Sequence, residues 1–137
     1  MVKSNDCIKR WGPPRANGEW MTLWEVPQEL RTGAIPKRIY LNRFMIHPLT
    51  EAFTLIKDKG LEIKTWDGCF NIRKMAGNSS VWSLHSWGIA IDIDAFENGF
   101  GEEPKMDLEL VDCFRPWFDW GGDWQRKDGM HFQIKHI

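Results

Sequence analysis

Two short segments carry residue types at spacings that could do hydrolytic chemistry on a metal. They are Ser83-Leu84-His85-Ser86-Trp87-Gly88-Ile89-Ala90-Ile91-Asp92 and Asp128-Gly129-Met130-His131. A catalytic zinc ion takes three protein ligands from His, Asp, Glu or Cys, leaves a fourth position for water, and often draws its ligands from separate segments. His85, Asp92, Asp128 and His131 offer such a set. Two plainer readings stay open at this point. Asp92 and Asp94 could line a solvated strand face, and His131 could be a hydrogen-bonded strand residue. Asp94 could equally orient a ligand, as the partners of metal ligands do. His47 opens a helix and His136 sits near the end of the chain, so neither joins the set.

The elements around these residues decide whether they can meet. Gly88 to Asp94 alternates, so Ile89, Ile91 and Ile93 share a core face and Ala90, Asp92 and Asp94 take the other. Met130 to Ile134 also alternates, leaving His131 and Gln133 opposite the apolar residues. If the two strands are close in one sheet, Asp92 and His131 meet on its polar side. The odd spacing from His85 to Asp92 needs a bend, which Gly88 can supply. Asp128 needs a turn, and Lys127-Asp128-Gly129 is turn-like. A third strand is expected over Leu61 to Trp66. The clearest helix spans His47 to Gly60, with Leu49, Ala52, Phe53 and Ile56 at helical spacing, Pro48 in the first turn and Gly60 past the end. A shorter helix is expected from about Asp107, as cap, to Phe114. Few helices and several strands imply an α+β domain, with helices packed on a small antiparallel sheet.

Length and composition frame this core. A chain of 137 residues fits one domain. We expect a single unit over 1–137, with an irregular N-terminal arm over 1–30 and a motif-bearing core over 61–135. Hydrophobic residues are 42% and charged residues 27%, and no apolar run approaches the ~18 residues of a membrane span. The net charge of −1, without a basic block, gives nucleic-acid binding no electrostatic support. Cys7, Cys69 and Cys113 are widely spaced and read as reduced structural thiols. The nine tryptophans read as packing, though a group near a cleft could make a binding floor. No apolar secretory segment opens the sequence. The expectation is a monomer made in the cytoplasm that acts elsewhere only after release.

Ser83-x-His85-x-x-Gly88-x-Ala90-x-Asp92, followed by Asp128-x-x-His131, resembles the S-x-H-x-x-G-x-A-x-D and D/E-x-x-H motifs of the M15 family of zinc D,D-peptidases. That family includes D-alanyl-D-alanine carboxypeptidases and dipeptidases, and L-alanyl-D-glutamate endopeptidases found among phage endolysins. The likeness runs from about Trp66 to Ile134. Trp66 to Arg73 resembles the segment that delivers the family's arginine, and Phe118 to Trp124 resembles its W-G-G-x-W element. The resemblance implies one zinc ion on His85, Asp92 and His131, with Asp128 as the general base. It implies that Arg73 contacts the substrate or its developing oxyanion, and that Ser83 and Trp124 line the substrate site. It also implies a hedgehog/DD-peptidase-like fold and, as partner, the peptide stem of peptidoglycan.

Aspartate at the base position resembles the endolysin-like endopeptidases, whereas many carboxypeptidase members have glutamate there. The expected activity is therefore L-alanyl-D-glutamate endopeptidase, with D-alanyl-D-alanine carboxypeptidase as the alternative. A rival of another class is a non-catalytic zinc-holding module, as in the hedgehog signalling domain; the presence of Asp128 and Arg73 counts against it. A nuclease using Asp92 and Asp94 would need a basic surface, which the composition lacks.

Overall fold

Leu49, Ala52, Phe53 and Ile56 are fully buried, so the face that their spacing defines is the face on which the longest helix packs. This computed structural model describes residues 1–137, the side chain of Ser79 excepted. In chain order the elements are α1 (Ser4–Trp11), β1 (Met21–Glu25), β2 (Arg38–Asn42), α2 (Ile46–Asp58), β3 (Trp66–Gly68), β4 (Lys74–Met75), β5 (Asn78–Trp82), β6 (Ala90–Ile93), α3 (Leu108–Phe114), β7 (Phe118–Trp120) and β8 (His131–Ile134). A 3₁₀ turn, Leu84–Trp87, leads into β6. Gly60, at φ 65°, follows the C-terminal end of α2. Asp107 caps α3, its Oδ1 accepting from Glu109 N at 2.9 Å.

The fold is α+β with antiparallel pairing throughout. The central sheet has the order β3-β6-β8-β7, while β1-β2 and β4-β5 form separate two-stranded ribbons. In the β6–β8 pairing Asp92 stands directly opposite His131. Behind the sheet, Phe114 packs on Phe132 with ring centroids 4.6 Å apart and edge-on to Phe118 at 5.7 Å. Ile89, Ile91 and Ile93 are fully buried in the same core, and Ala90 and Asp94 are buried too. Both faces of β6 are therefore covered. No helix among the described residues is long and apolar enough to cross a membrane.

Two expectations change. The first thirty residues are not an irregular arm. Asp6 Oδ2 accepts from Lys3 N at 2.8 Å at the start of α1, Cys7 is fully buried beneath it, and β1 pairs with β2. The pattern hid α1 because only Ser4 and Cys7 face inward, so docking stabilises it more than its own sequence does. The longest irregular stretch among the first thirty residues runs from Gly12 to Trp20. The strand expected over Leu61 to Trp66 lies instead at Trp66–Gly68, sharing only Trp66 with that span. Alternation there follows burial, with Ile63 fully inside, but not pairing: Asp94 Oδ1 accepts from Lys64 N at 2.8 Å and Thr65 N at 3.0 Å, occupying the donors a neighbouring strand would need.

Candidate metal centre and cleft

Ser83 is where the site begins locally. Its Oγ accepts from His85 N at 3.3 Å and caps the 3₁₀ turn that carries His85. Gly88 ends that turn at φ 68°, and a Cβ there would lie 2.8 Å from Asn42 N and 2.8 Å from Met21 Cε. Gly88 therefore supplies the expected bend and also lets the turn sit against β1 and β2. Beyond it, β6 carries Asp92 into its pairing with His131.

The three side chains converge. His85 Nε2 lies 3.2 Å from Asp92 Oδ2, and His131 Nδ1 lies 3.5 Å from Asp92 Oδ1. The chosen donor atoms are all within 4.8 Å of one another. The outer nitrogens of both rings are engaged. His85 Nδ1 is 2.7 Å from the Cys69 carbonyl, which can only accept, so that nitrogen carries the proton and Nε2 presents a lone pair. Gln133 Nε2 donates to the Val2 carbonyl at 3.1 Å, which turns Gln133 Oε1 toward His131 Nε2 at 3.0 Å. His131 thereby donates from Nε2 and presents a lone pair at Nδ1. Two lone pairs and a carboxylate then face each other, and His85 Nε2 and Asp92 Oδ1 are buried without a hydrogen-bond partner. Acceptors gathered in this way suit a cation.

Without a cation, the three groups compensate one another electrostatically. Burial opposes ionisation of Asp92, but His131 and then His85 outweigh it and hold its carboxyl well below the usual range. Burial likewise opposes charge on His131, and Asp92 overcomes it, so the His131 pKa is raised. Burial raises the pKa of Asp128, with the Asp92 charge adding to the effect and His131 opposing it.

Asp92 and His131 open on a cleft of ≈ 290 Å³, with His85 buried behind them; its polar lining includes Arg73, Ser83, Asp128 and Arg126 and its apolar walls include Leu84, Phe100 and Met130. Trp124 also lines it, its ring 5.3 Å from that of His131. Asp128 stands in this cleft outside the trio. It is brought there by the Trp120-Gly121-Gly122 element: Asp128 N donates to Gly121 O at 3.0 Å, and a Cβ on Gly121 would lie 2.3 Å from Asp128 O. Trp120 Nε1 donates to Gly129 O at 2.8 Å and anchors the other side of that turn. Arg73 Nη2 is 4.0 Å from Asp92 Oδ2. Its backbone is fixed by Ser83 N, which donates to Arg73 O at 2.8 Å, and by Ser86 Oγ, which accepts from Arg73 N at 3.1 Å.

Asp94 does not join the centre. It is buried, with φ 50°, and binds the Lys64 and Thr65 amides, so it is neither a partner of the trio nor an exposed carboxylate. His47 packs edge-on against Trp117, 5.0 Å away. Cys7, Cys69 and Cys113 are buried free thiols, and burial pushes the Cys7 thiol up to about 12. Sequence reasoning did not assign Gln133, Ser86 or Arg126. Only Gln133 carried a usable signal, lying two residues from His131 on the same strand face.

Residues 76–134 match the family model described as D-alanyl-D-alanine carboxypeptidase. No curated protein and no solved structure matches the chain. The matched span includes Ser83, His85, Asp92, Trp124, Asp128 and His131, while Arg73 lies just before it. Residues 76–134, the span in which both motifs reach one cleft, are thus similar to the peptidases of the M15 family.

Proposed function

We propose that the chain is a zinc-dependent peptidase that hydrolyses an amide bond in the peptide stem of bacterial peptidoglycan, with His85, Asp92 and His131 as the metal ligands. The observation that carries this reading is the facing set of acceptors, His85 Nε2, His131 Nδ1 and the Asp92 carboxylate, two atoms of which are buried and unpaired. Leaving such atoms unpaired costs about 1–3 kcal/mol each. One donor atom from each of the three residues lies within 4.8 Å of the others, close enough for a single zinc ion to be held by all three. When bound, zinc brings the pKa of water from ~15.7 to about 7 and polarises a carbonyl.

The remaining chemistry belongs to the chain itself. Asp128 lines the same cleft outside the trio, placing a carboxylate where it can take a proton from the attacking water and return it to the leaving amine. Its raised pKa makes it a better proton acceptor than an ordinary aspartate. Arg73 Nη2 is too far from Asp92 for a hydrogen bond, so its donors remain open to an oxygen that gains negative charge during attack. Ser83, Trp124, Leu84 and Met130 shape the space for a short peptide. Aspartate at the base position supports cleavage between L-alanine and D-glutamate; the family description supports the D-alanyl-D-alanine carboxypeptidase alternative.

Mass spectrometry of digested muropeptides tests activity and bond together. The native protein should release new amino groups, a chelator should stop the release, and Asp128→Ala should keep its zinc but lose about 10²–10⁴ in rate. Digestion by Asp128→Ala at the native rate would falsify the base assignment.

A further inference from the structure

The cleft holds two arginines, and the reaction described above uses one. Arg73 reaches toward Asp92, whereas Arg126 lines the same space and makes no ion pair among the described residues. Its side chain is nevertheless held in place. The guanidinium carbon is 4.5 Å from the centre of the Phe100 ring, a cation–π arrangement that leaves the N–H edges free. On the far side, Arg126 Nη1 lies 2.6 Å from where a Cβ on Gly77 would sit, so the β4–β5 turn approaches the guanidinium closely.

We propose that Arg126 is a specificity-determining residue that binds a carboxylate on the substrate, separate from the amide being cut. This rests on the peptidase reading and narrows its substrate class to an acidic peptide. The chemistry of the cleft favours such a ligand. A guanidinium with open donors offers a carboxylate a two-pronged, charge-assisted site in this cleft, and Arg126 has no acidic partner among the described residues competing for it. Met75, Ala76, Leu84 and Phe100, which line the same cleft, are suited to small apolar side chains. A stem peptide offers two candidate groups, the free α-carboxylate of its γ-linked D-glutamate and its C-terminal carboxylate.

The test uses the zinc-loaded protein and one synthetic stem pentapeptide in three forms: unmodified, amidated at the D-glutamate α-carboxyl, and amidated at the C-terminus. With the native protein, one amidation should raise KM by about 10–100-fold with kcat little changed, because one charge-assisted pair is lost. Arg126→Met should show that higher KM for all forms and no longer distinguish them. Arg126→Lys, which keeps the charge without the fork, should recover part of the discrimination. Indifference of the native protein to both amidations, or discrimination that survives in Arg126→Met, would overturn the proposal while leaving the peptidase reading intact. If the native protein cuts none of the three, the peptidase reading fails. Calorimetric titration of the same peptides then decides the question for Arg126: tighter binding of a carboxylate form, lost in Arg126→Met, supports it, and equal affinities refute it.

Discussion

Each imidazole of the trio is oriented by an oxygen on its far side, Cys69 O for His85 and Gln133 Oε1 for His131. The second of these belongs to a side chain and can be removed by substitution, at the cost of the bond to the Val2 carbonyl. Gln133→Leu would leave His131 free to rotate or change tautomer, and should weaken zinc binding by about 10–100-fold. Competition with a chromophoric chelator measures this, with circular dichroism confirming an unchanged fold; native affinity in the variant would show that the carboxamide does not set the ring. At this scale the sequence was informative about residue type and spacing, because His85, Asp92, Asp128 and His131 lie in two recognisable segments. It was silent on Ser86 and Arg126, whose roles depend on neighbours that only folding supplies: Ser86 meets Arg73 across a turn, and Arg126 meets Phe100 and Gly77.

Glycines decide how closely the elements that carry the site can approach. Gly121 and Gly101 make a useful contrast. A Cβ on Gly121 would meet Asp128 O at 2.3 Å and Asp128 Cβ at 2.9 Å, whereas one on Gly101, at φ 82°, would meet nothing within 4 Å. Gly101→Ala should therefore cost about 1 kcal/mol through backbone strain alone and leave kcat unchanged. Gly121→Ala should cost about 1–3 kcal/mol and also lower kcat by displacing the base. Denaturant titration beside steady-state kinetics separates the two effects, and equal kcat in both variants would argue against a positioning role for Gly121. Elements were legible where a periodic apolar face coincided with burial, as in α2, β6 and β8. They were misread where a side chain replaced a strand partner, as Asp94 does for Lys64 and Thr65, and where a helix was mostly polar, as in α1.

Over the whole molecule the centre couples stability to pH and, on the proposed reading, to metal. The Asp92 carboxyl is held below its ordinary 3.8, so its contribution is present above that value and is lost as the pH falls through the lowered one. The His131 pKa is raised above 6.5, so its contribution is complete below 6.5 and is lost as the pH rises through the raised value. The metal-free protein should be most stable between these limits. A cation on the trio takes the place of that proton, so the gain in Tm on adding zinc should widen between about pH 5.5 and about pH 7.5. Scanning calorimetry at the two pH values checks this, and equal gains would mean that proton and metal do not compete. The α+β class was legible from the mix of elements; the β3-β6-β8-β7 order was not, because pairing partners far apart in sequence leave no periodic trace.

That order also sets a timetable. The strand that supplies His131 is the latest of the four in the chain, yet it lies between β6 and β7, and Gln133 beside it bonds back to Val2 across 131 positions. During synthesis, a chain emerging as far as Asp92 has two of the three donors and an open slot in its sheet. The centre can be completed only after Ile134 has left the ribosome, and the slot remains an exposed edge until then. On the proposed reading, the nascent chain is inert, and a complete set of metal donors exists only once this last core strand is in place.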